Sequence, residues 1–574
     1  MVAVVEKARR LTMQTSDIAT DTRAIRSLDW DRDRFDIEFG LQNGTTYNSF
    51  IIRGEKIALV DTSHEKFRDL YLPTLSLEVN PREIDYIIIS HTEPDHSGLV
   101  RDVLALAPQA TVVGSKVAIQ FLEDLVHQPF ERLIVKNGDR LDLGNGHELE
   151  FVSAPNLHWP DTIFTYDHKT AVLYTCDAFG MHFCDDDMFD TDMAKIEPDF
   201  RFYYDCLMAP NARSVLSAMK RMGELPDINL IATGHGPLLA YHVSEWTGRY
   251  QRWSQSKAKA EKTAAVFYVS DYGYSDRLSQ AIARGITKAN VAVEMMDLRS
   301  ADPQEIRELV EHAAGLVISM PPASGPIANQ VQAALGTILA AANSKQVVGL
   351  VESYGGDDEL IYPLQTRFVE LGLVPGFEAI RVKEAPHEAT YQLCEEAGTD
   401  LGQLLLREKA IKQMKSLSSD LDKALGRLSG GLYIITAKKG ELTSAMLASW
   451  VTQTSFEPLG LTIAVAKDRA IESLMQVGDH FVLNVLGESN YQHLMKHFLK
   501  RFPPGADRFA GVKTQPAENG SPILTEALAY LECEVVTRME CSDHWLVYST
   551  VQAGRVSNPE GLTAVHHRKV GNHY

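Results

Sequence analysis

Four residues of metal-ligand type, His91, Glu93, Asp95 and His96, fall within six positions of the stretch IIISHTEPDHSGLV. Imidazoles and carboxylates this close together make a loop that could serve two metal ions. Three more residues of the same types stand downstream: His158 in APNLHWPD, Asp177 in LYTCDAFG and His235 in IATGHGPL. Each follows an apolar, strand-like run and precedes a Gly, Pro or aromatic break, so each is expected on a loop at a strand end. A lone histidine usually packs or faces solvent; a series of this kind points to metal chemistry.

Such a set needs strands that end at one edge. Ile87, Ile88 and Ile89 are β-branched and uninterrupted by charge, which predicts a buried strand, and Ser97 to Leu106 has the spacing of a helix start. The ligands are then expected on a strand-to-helix loop, where a rigid scaffold positions chemistry. Alternation directs His91, Glu93 and Asp95 to one side, and Pro94 turns the backbone so that His96 joins them. From Arg34 to Trp253 the runs TTYNSFIIRG, KIALVDT, ATVVG, LEFVSA and AVLYTCDAF alternate with helical patterns, as in an α/β module. The remaining histidines of this region (His64, His127, His147, His168, His182 and His242) read as surface or packing residues, with His64 and His182 near enough to support the ligands.

At 574 residues the chain is too long for one core and implies about three or four domains. A formal charge of −20 argues against nucleic acid or an anionic membrane surface as the main partner. The six cysteines are scattered and form no CxxC, which predicts reduced thiols, a cytoplasmic setting, and neither a zinc ribbon nor an iron–sulfur module. The apolar run in MVAVVEKARR is too short for a signal peptide. No stretch approaches the ~18 apolar residues that a membrane span requires.

The charged segment from about 250 to 262 reads as a connector. A second α/β unit begins at Ala264, with strand-like runs AAVFYVS, VAVEMMDL, GLVISM, QVVGLVES and FEAIRVKE separated by helical patterns. This alternation predicts a doubly wound parallel sheet, whose ligands lie beyond the carboxyl ends of its strands. The candidate loops are Ser270, Asp271, Tyr272, Gly273, Tyr274 and Ser275 for a phosphate at a helix N-terminus. Met320, Pro321, Pro322 and Ala323 would lie beside a ring, and Ser353, Tyr354, Gly355, Gly356 and Asp357 on its other side. Between Leu406 and Asp420 the chain is polar and reads as a second linker. The remainder is strand-rich (GLYIITAKK, SAMLASWVTQTS, LTIAVAK, HFVLNVL, LAYLECEVVTRME, HWLVYSTVQAG), which predicts a barrel. The expected division is 1–262, 263–406 and 407–574.

The ligand series resembles that of the metallo-β-lactamase-like superfamily, with one departure: Glu93 stands where the zinc hydrolases carry His. Carboxylates beside imidazoles favour iron or manganese, and three of them offset most of the charge of two ferrous ions. The HxExDH…H…D…H series is similar to that of the flavodiiron proteins. That resemblance implies that His91, Glu93 and His158 bind one iron, that Asp95, His96 and His235 bind the other, and that Asp177 bridges them. The second unit resembles a flavodoxin with its FMN site, although Asp271 is an acid where a phosphate is expected. The third, through AMLASWVTQTSFEP and VAKDRAIESL, resembles the split-barrel flavin reductases. It implies that Met446, Ala448, Ser449, Trp450, Thr454 and Ser455 line an FMN or FAD, that Lys467 and Arg469 lie near its phosphate, and that His544, next to Asp543, lies near the nicotinamide.

Together these resemblances cover nearly the whole chain and match the three-module flavodiiron proteins of cyanobacteria. They imply an NAD(P)H:oxygen oxidoreductase that carries electrons from NAD(P)H, or from reduced ferredoxin, through flavin to a diiron centre. There O2 is reduced to water, as an electron sink protecting photosynthesis. They also imply a head-to-tail homodimer, or a hetero-oligomer with a paralogue, in which the flavin of one subunit faces the irons of the other. Nitric oxide reduction at the same site, a metal-dependent hydrolase fused to flavin modules, and a redox-inactive scaffold are the competing readings.

Overall fold

A computed structural model describes residues 10–35, 39–259, 261–269, 274–299, 301–320, 327–353, 364–383, 385–416 and 420–568. The chain divides into two compact units, one comprising Met1–Glu261 with Ala292–Ser300, the other Lys262–Val291 with Ala301–Tyr574.

Two sheets build the first unit. In the first, β1 (Leu11–Ala19), β2 (Thr22–Asp29), β3 (Thr45–Arg53), β4 (Ile57–Val60), β5 (Ile84–Ile88), β6 (Thr111–Gly114) and β7 (Glu131–Ile134) lie side by side in chain order. So do β8 (Arg140–Gly144), β9 (His147–Ser153), β10 (Ile163–Asp167), β11 (Val172–Cys176) and β12 (Leu230–Thr233) in the second. Alternation along the strands sorts the side chains into layers. Phe50, Ile52, Val60 and Ile88 meet Phe151, Ile163, Tyr174 and Ala232 between the sheets. On the outer face of the first sheet, Tyr47, Ile51 and Ile87 pack with Tyr71, Leu75 and Leu122. On the outer face of the second, Phe164, Leu173 and Ile231 pack with Phe200, Trp246 and Tyr250. The result is a four-layer helix–sheet–sheet–helix sandwich.

Three helices matter for the site. The first, α1 (Pro94–Ser97), opens directly after β5, with Glu93 at its N-cap and Pro94 at its first position, where a missing N–H costs nothing. Asp95 and His96 therefore sit on a helical turn, and not on the extended loop expected from alternation. Asp192 caps α2 (Met193–Tyr203), its Oδ1 accepting from Ala194 N at 3.0 Å and Lys195 N at 3.2 Å. That cap fixes the helix that carries Tyr203. The segment read as a connector is the end of α3 (Val243–Ala258), whose Tyr250 is buried in the core and accepts a hydrogen bond from Phe179 N at 3.1 Å.

The second unit begins with β13 (Thr263–Tyr268) and α4 (Tyr274–Lys288). Strand β13 pairs in parallel with β14 (Gly315–Met320), β14 with β15 (Val347–Ser353), and β15 with β16 (Ile380–Val382). This is the flavodoxin-like sheet; Ala292–Asp297 forms the further strand expected from VAVEMMDL. The stretch read as a linker is largely helical, because α5 runs from Glu388 to Ser416.

After it come β17 (Tyr433–Lys439), β18 (Leu442–Ala448), β19 (Val451–Phe456), β20 (Leu459–Ala466), β21 (His480–Val485), β22 (Ala529–Cys541) and β23 (His544–Val556). They form one sheet in the order β18-β17-β21-β22-β23-β20-β19 around a core that includes Ile435, Met446, Ile463, Phe481, Val535 and Val547. SAMLASWVTQTS, expected as one strand, is two, with Ser449 and Trp450 at the break between them. No disulfide joins any of the six cysteines among the described residues. Among the described residues, no helix is long and apolar enough to cross a membrane.

Candidate metal centre

The seven candidate ligands converge, all of them buried, at one edge of the first unit. Strand β5 delivers His91 to His96, β9 is followed by His158, β11 by Asp177 and β12 by His235. Ligand atoms of His91, Glu93, His158 and Asp177 lie within 4.8 Å of one another, as do those of Asp95, His96 and His235.

Asp177 belongs to both groups. Its Oδ2 is 3.5 Å from His91 Nε2 and 3.6 Å from His158 Nε2. Its Oδ1 is 3.0 Å from His96 Nε2 and 3.3 Å from His235 Nε2. Glu93 Oε2 completes the first side, 2.9 Å from His158 Nε2 and 3.3 Å from His91 Nε2. Asp95 completes the second, with Oδ2 3.2 Å from His235 Nε2 and Oδ1 3.5 Å from His96 Nε2.

The donors fit two metal ions. Three buried carboxylates in one pocket repel one another unless positive charge lies between them. Among the described residues, Asp95 Oδ1 and Asp177 Oδ2 accept no hydrogen bond, although both are buried and face imidazoles. Within the cluster, carboxylates and imidazoles favour each other's charged forms. Burial and the Asp95 charge push Glu93 up, but His158 and His91 outweigh them and hold it at about 2. Burial likewise raises Asp177, yet His96 and His235 hold it well below the usual carboxylate range. Burial alone would lower His235; its bonds to Asp177 and Asp95 push it up to about 10. His91, His96 and His158 are raised by the same balance.

An outer layer orients these groups. His91 Nδ1 is 2.9 Å from Asp161 Oδ1, while Asp161 Oδ2 accepts from Thr92 N at 2.8 Å and Thr92 Oγ1 at 2.6 Å. Such a carboxylate fixes the imidazole tautomer and leaves Nε2 free for metal. His235 Nδ1 donates to the Thr46 carbonyl at 2.6 Å. Tyr203 Oη donates to Asp177 Oδ1 at 2.9 Å. Gly234 packs against His96: a Cβ there would lie 2.7 Å from His96 Cε1.

Asp161, Thr46, Tyr203 and Gly234 were not singled out by sequence. Asp161, three residues after His158, carried the one usable signal. Of the two histidines expected nearby, His182 lies against His235 with ring centroids 4.7 Å apart and bonds Thr45 Oγ1 through Nδ1 at 2.8 Å. His64 instead accepts from Lys66 N at a helix start. His147, His168 and His242 pair with Asp167, Glu150 and Asp190 and are structural.

The flavin candidates divide. Ser275, in the first turn of α4, and Ser353, the last residue of β15, meet with their hydroxyls 2.8 Å apart. Met320 is buried at the end of β14, and Tyr274 opens α4, partly exposed. Ser270, Asp271, Tyr272, Gly273, Pro321, Pro322, Ala323, Tyr354, Gly355, Gly356 and Asp357 lie outside the described residues.

In the strand-rich module, Met446 and Arg469 line a cavity of about 320 Å³ together with Phe502 and with Glu396 and Gln403 of α5. Ala448 and Ser449 are buried beside it in sequence, whereas Thr454 and Ser455 lie on β19, Ser455 Oγ donating to the Pro458 carbonyl at 2.7 Å. Trp450 is partly exposed, 5.3 Å between ring centroids from His544, whose Nδ1 contacts Asp543. Lys467 pairs with Glu540 and lies over the Trp545 ring.

Fold and site thus define a metallo-β-lactamase-like domain with a dinuclear metal site, followed by two further modules. Residues 45–236 match the family model described as ODP family beta lactamase, and 425–572 the flavin reductase like domain. Diflavin flavoprotein A 1 of Synechocystis sp. (strain ATCC 27184 / PCC 6803 / Kazusa) is 68% identical over 566 residues, covering 99% of this chain and 98% of its own. The structure titled "Metal soaked Flv1 flavodiiron core from Synechocystis sp. PCC6803" superposes with a TM-score of 0.65 at 39% identity, over 69% of this chain and 99% of that one. The chain belongs to the flavodiiron proteins of the diflavin flavoprotein A family, oxidoreductases that carry a C-terminal flavin reductase domain.

Proposed function

We propose that this chain takes electrons from NAD(P)H into a flavin of the reductase module, passes them to FMN in the flavodoxin-like module, and delivers them to a diiron site that reduces dioxygen to water. The observation that carries the reading is the division of Asp177, one oxygen turned to His91 and His158, the other to His96 and His235. On this reading His91, Glu93 and His158 hold one iron, Asp95, His96 and His235 the other, and Asp177 both.

The irons and flavins would supply the redox chemistry, and the protein's part is placement. Asp161 and the Thr46 carbonyl hold two imidazoles in the tautomer that presents Nε2. Tyr203 holds the shared carboxylate. Burial excludes bulk water from the cluster. The pairing of Ser275 with Ser353 supports an FMN site where α4 begins and β15 ends, and Met446, Arg469, Trp450 and His544 support a flavin and nicotinamide site in the third module. The word diflavin in the relative's name agrees with two flavins per chain. We place the modules at 1–262, 263–406 and 407–574, and the protein in the cytoplasm as a head-to-tail oligomer.

The test is to replace Glu93 or Asp177 by Ala in the full chain. Reduction of oxygen to water should disappear, leaving only the slow peroxide-forming oxidation of reduced flavin, while NAD(P)H-driven dye reduction by the flavins continues. Oxygen reduction to water surviving both changes would rule out this site.

A further inference from the structure

Helix α5 carries two stripes. Tyr391, Cys394, Ala397 and Leu401 are buried and apolar, as expected of the side that packs in the flavodoxin-like module. Gln392, Glu396, Asp400 and Gln403 recur at helical spacing on another side, and such a polar stripe ordinarily faces water. Here the strand-rich module covers it. Gln392 Oε1 accepts from Ser473 Oγ at 3.1 Å, and Gln403 Nε2 donates to Asp468 Oδ2 at 2.8 Å. Glu396 pairs with Arg508 at 2.9 Å and accepts from Gly505 N at 3.0 Å, and Asp400 pairs with Arg501 at 2.9 Å.

Beneath this stripe lies a buried chain of alternating charge. Arg284 of α4 pairs with Glu395 of α5, and Lys288 of α4 contacts Glu395 at 2.6 Å. Lys288 also reaches Glu472 of the third module at 2.5 Å. Glu472 then pairs with Arg538 of β22, whose guanidinium lies 4.3 Å from the Trp545 ring centroid. Glu395 and Glu472 are 2% and 6% exposed. Buried ion pairs add little net stability over apolar packing, but losing one partner leaves an uncompensated charge. They are therefore selective: an interface built this way is tolerant of one geometry and intolerant of the alternatives. Gly285 and Gly398 hold α4 and α5 close together beneath it, because a Cβ on either would overlap the backbone of the opposite helix.

We propose that Lys288 and Glu472 form an intramolecular latch that docks the reductase barrel on α4 and α5 of its own chain, so that the two flavin-type modules move as one body and not as domains on a tether. The partner that fits the polar stripe of α5 is the barrel surface formed by Asp468 to Ser473 and Arg501 to Arg508.

Lys288→Met and Glu472→Ala remove the latch from opposite modules and are compared in the full-length protein by calorimetry and small-angle scattering. Wild type should unfold the two modules in one transition. Either variant should resolve them into two and raise the radius of gyration, and the double variant should add little to the single ones, because the coupling is lost once. If a single variant fails to fold, Glu396→Gln at the rim of the same joint should give a weaker separation of the transitions. The latch is overturned if wild type already shows two transitions, if folded variants keep one transition and the native radius, or if the effects of the two changes simply add.

Discussion

The two sides of the metal cluster share Asp177, but one histidine on each, His91 and His96, is held by a different means. On the side of Glu93 and His158, His91 is fixed by hydrogen bonding: Asp161 grips its Nδ1 and is itself gripped by Thr92. On the side of Asp95 and His235, His96 Nδ1 has no hydrogen-bond partner among the described residues, and the ring is placed by packing against Gly234. One imidazole is oriented by electrostatics and the other by shape. The two sides should therefore fail under different substitutions, although a common carboxylate makes them fail together when it is lost.

The largest effect is expected where the sides are not distinct. Asp177→Ala removes the shared ligand and the one counter-charge common to all four buried imidazoles, so iron content should fall from two per chain to near zero. Metal analysis after anaerobic loading checks this.

Next comes Gly234→Ala. The new methyl would sit 2.7 Å from His96 Cε1 and 3.0 Å from the Cys176 carbonyl carbon, so the ring must move. Overpacking of this kind costs about 1–3 kcal/mol in a core. Here the loss should concentrate on the side of Asp95, His96 and His235, leaving about one iron per chain; equal loss from both sides would remove the distinction.

Asp161→Ala acts on the opposite side and more mildly, because it frees His91 to rotate without deleting a ligand. Loss of such an orienting carboxylate typically weakens metal affinity about 10–100-fold. A competitive chelator titration should show this for one of the two irons, and Asp161→Asn, which can still accept a hydrogen bond, should recover part of it.

The mildest perturbation is a drop in pH. All four imidazoles have raised pKa values in the metal-free cluster, with His235 at about 10, so iron must displace protons to bind. Apparent affinity should fall steadily from pH 8 to pH 6, and loading in weak buffer should release protons; an affinity independent of pH would contradict the assigned ligands.

Much of this site was legible in the sequence, for a physical reason. Candidate ligands on strand ends announce themselves by an apolar run followed by His, Glu or Asp, and that pattern singled out the seven residues that converge in the fold. The supports did not show. Thr46 acts through its backbone carbonyl, which any residue possesses, and Gly234 acts by lacking a side chain. Tyr203 arrives from a helix that sequence gives no reason to place over Asp177.

The same limit applied to the fold. The α/β character of the first unit, the parallel sheet and the strand-rich module followed from periodicity, whereas the sandwich followed only from the resemblance of the ligand series. The polar stripe of α5 could only be read as solvated or as part of a linker, because its partners come from residues 468 to 508. Asp95 and His96 were expected on an extended loop, yet Pro94 starts a helix there, since proline at a first helical position ends a strand as readily as it begins a turn.

The claim at the centre of this account, that one carboxylate joins two irons, is tested most directly by Mössbauer spectroscopy of the anaerobically loaded, oxidised full chain. It predicts two high-spin ferric sites in equal amounts, coupled to a diamagnetic ground state. Magnetically independent irons, or a single iron per chain at saturation, would contradict it.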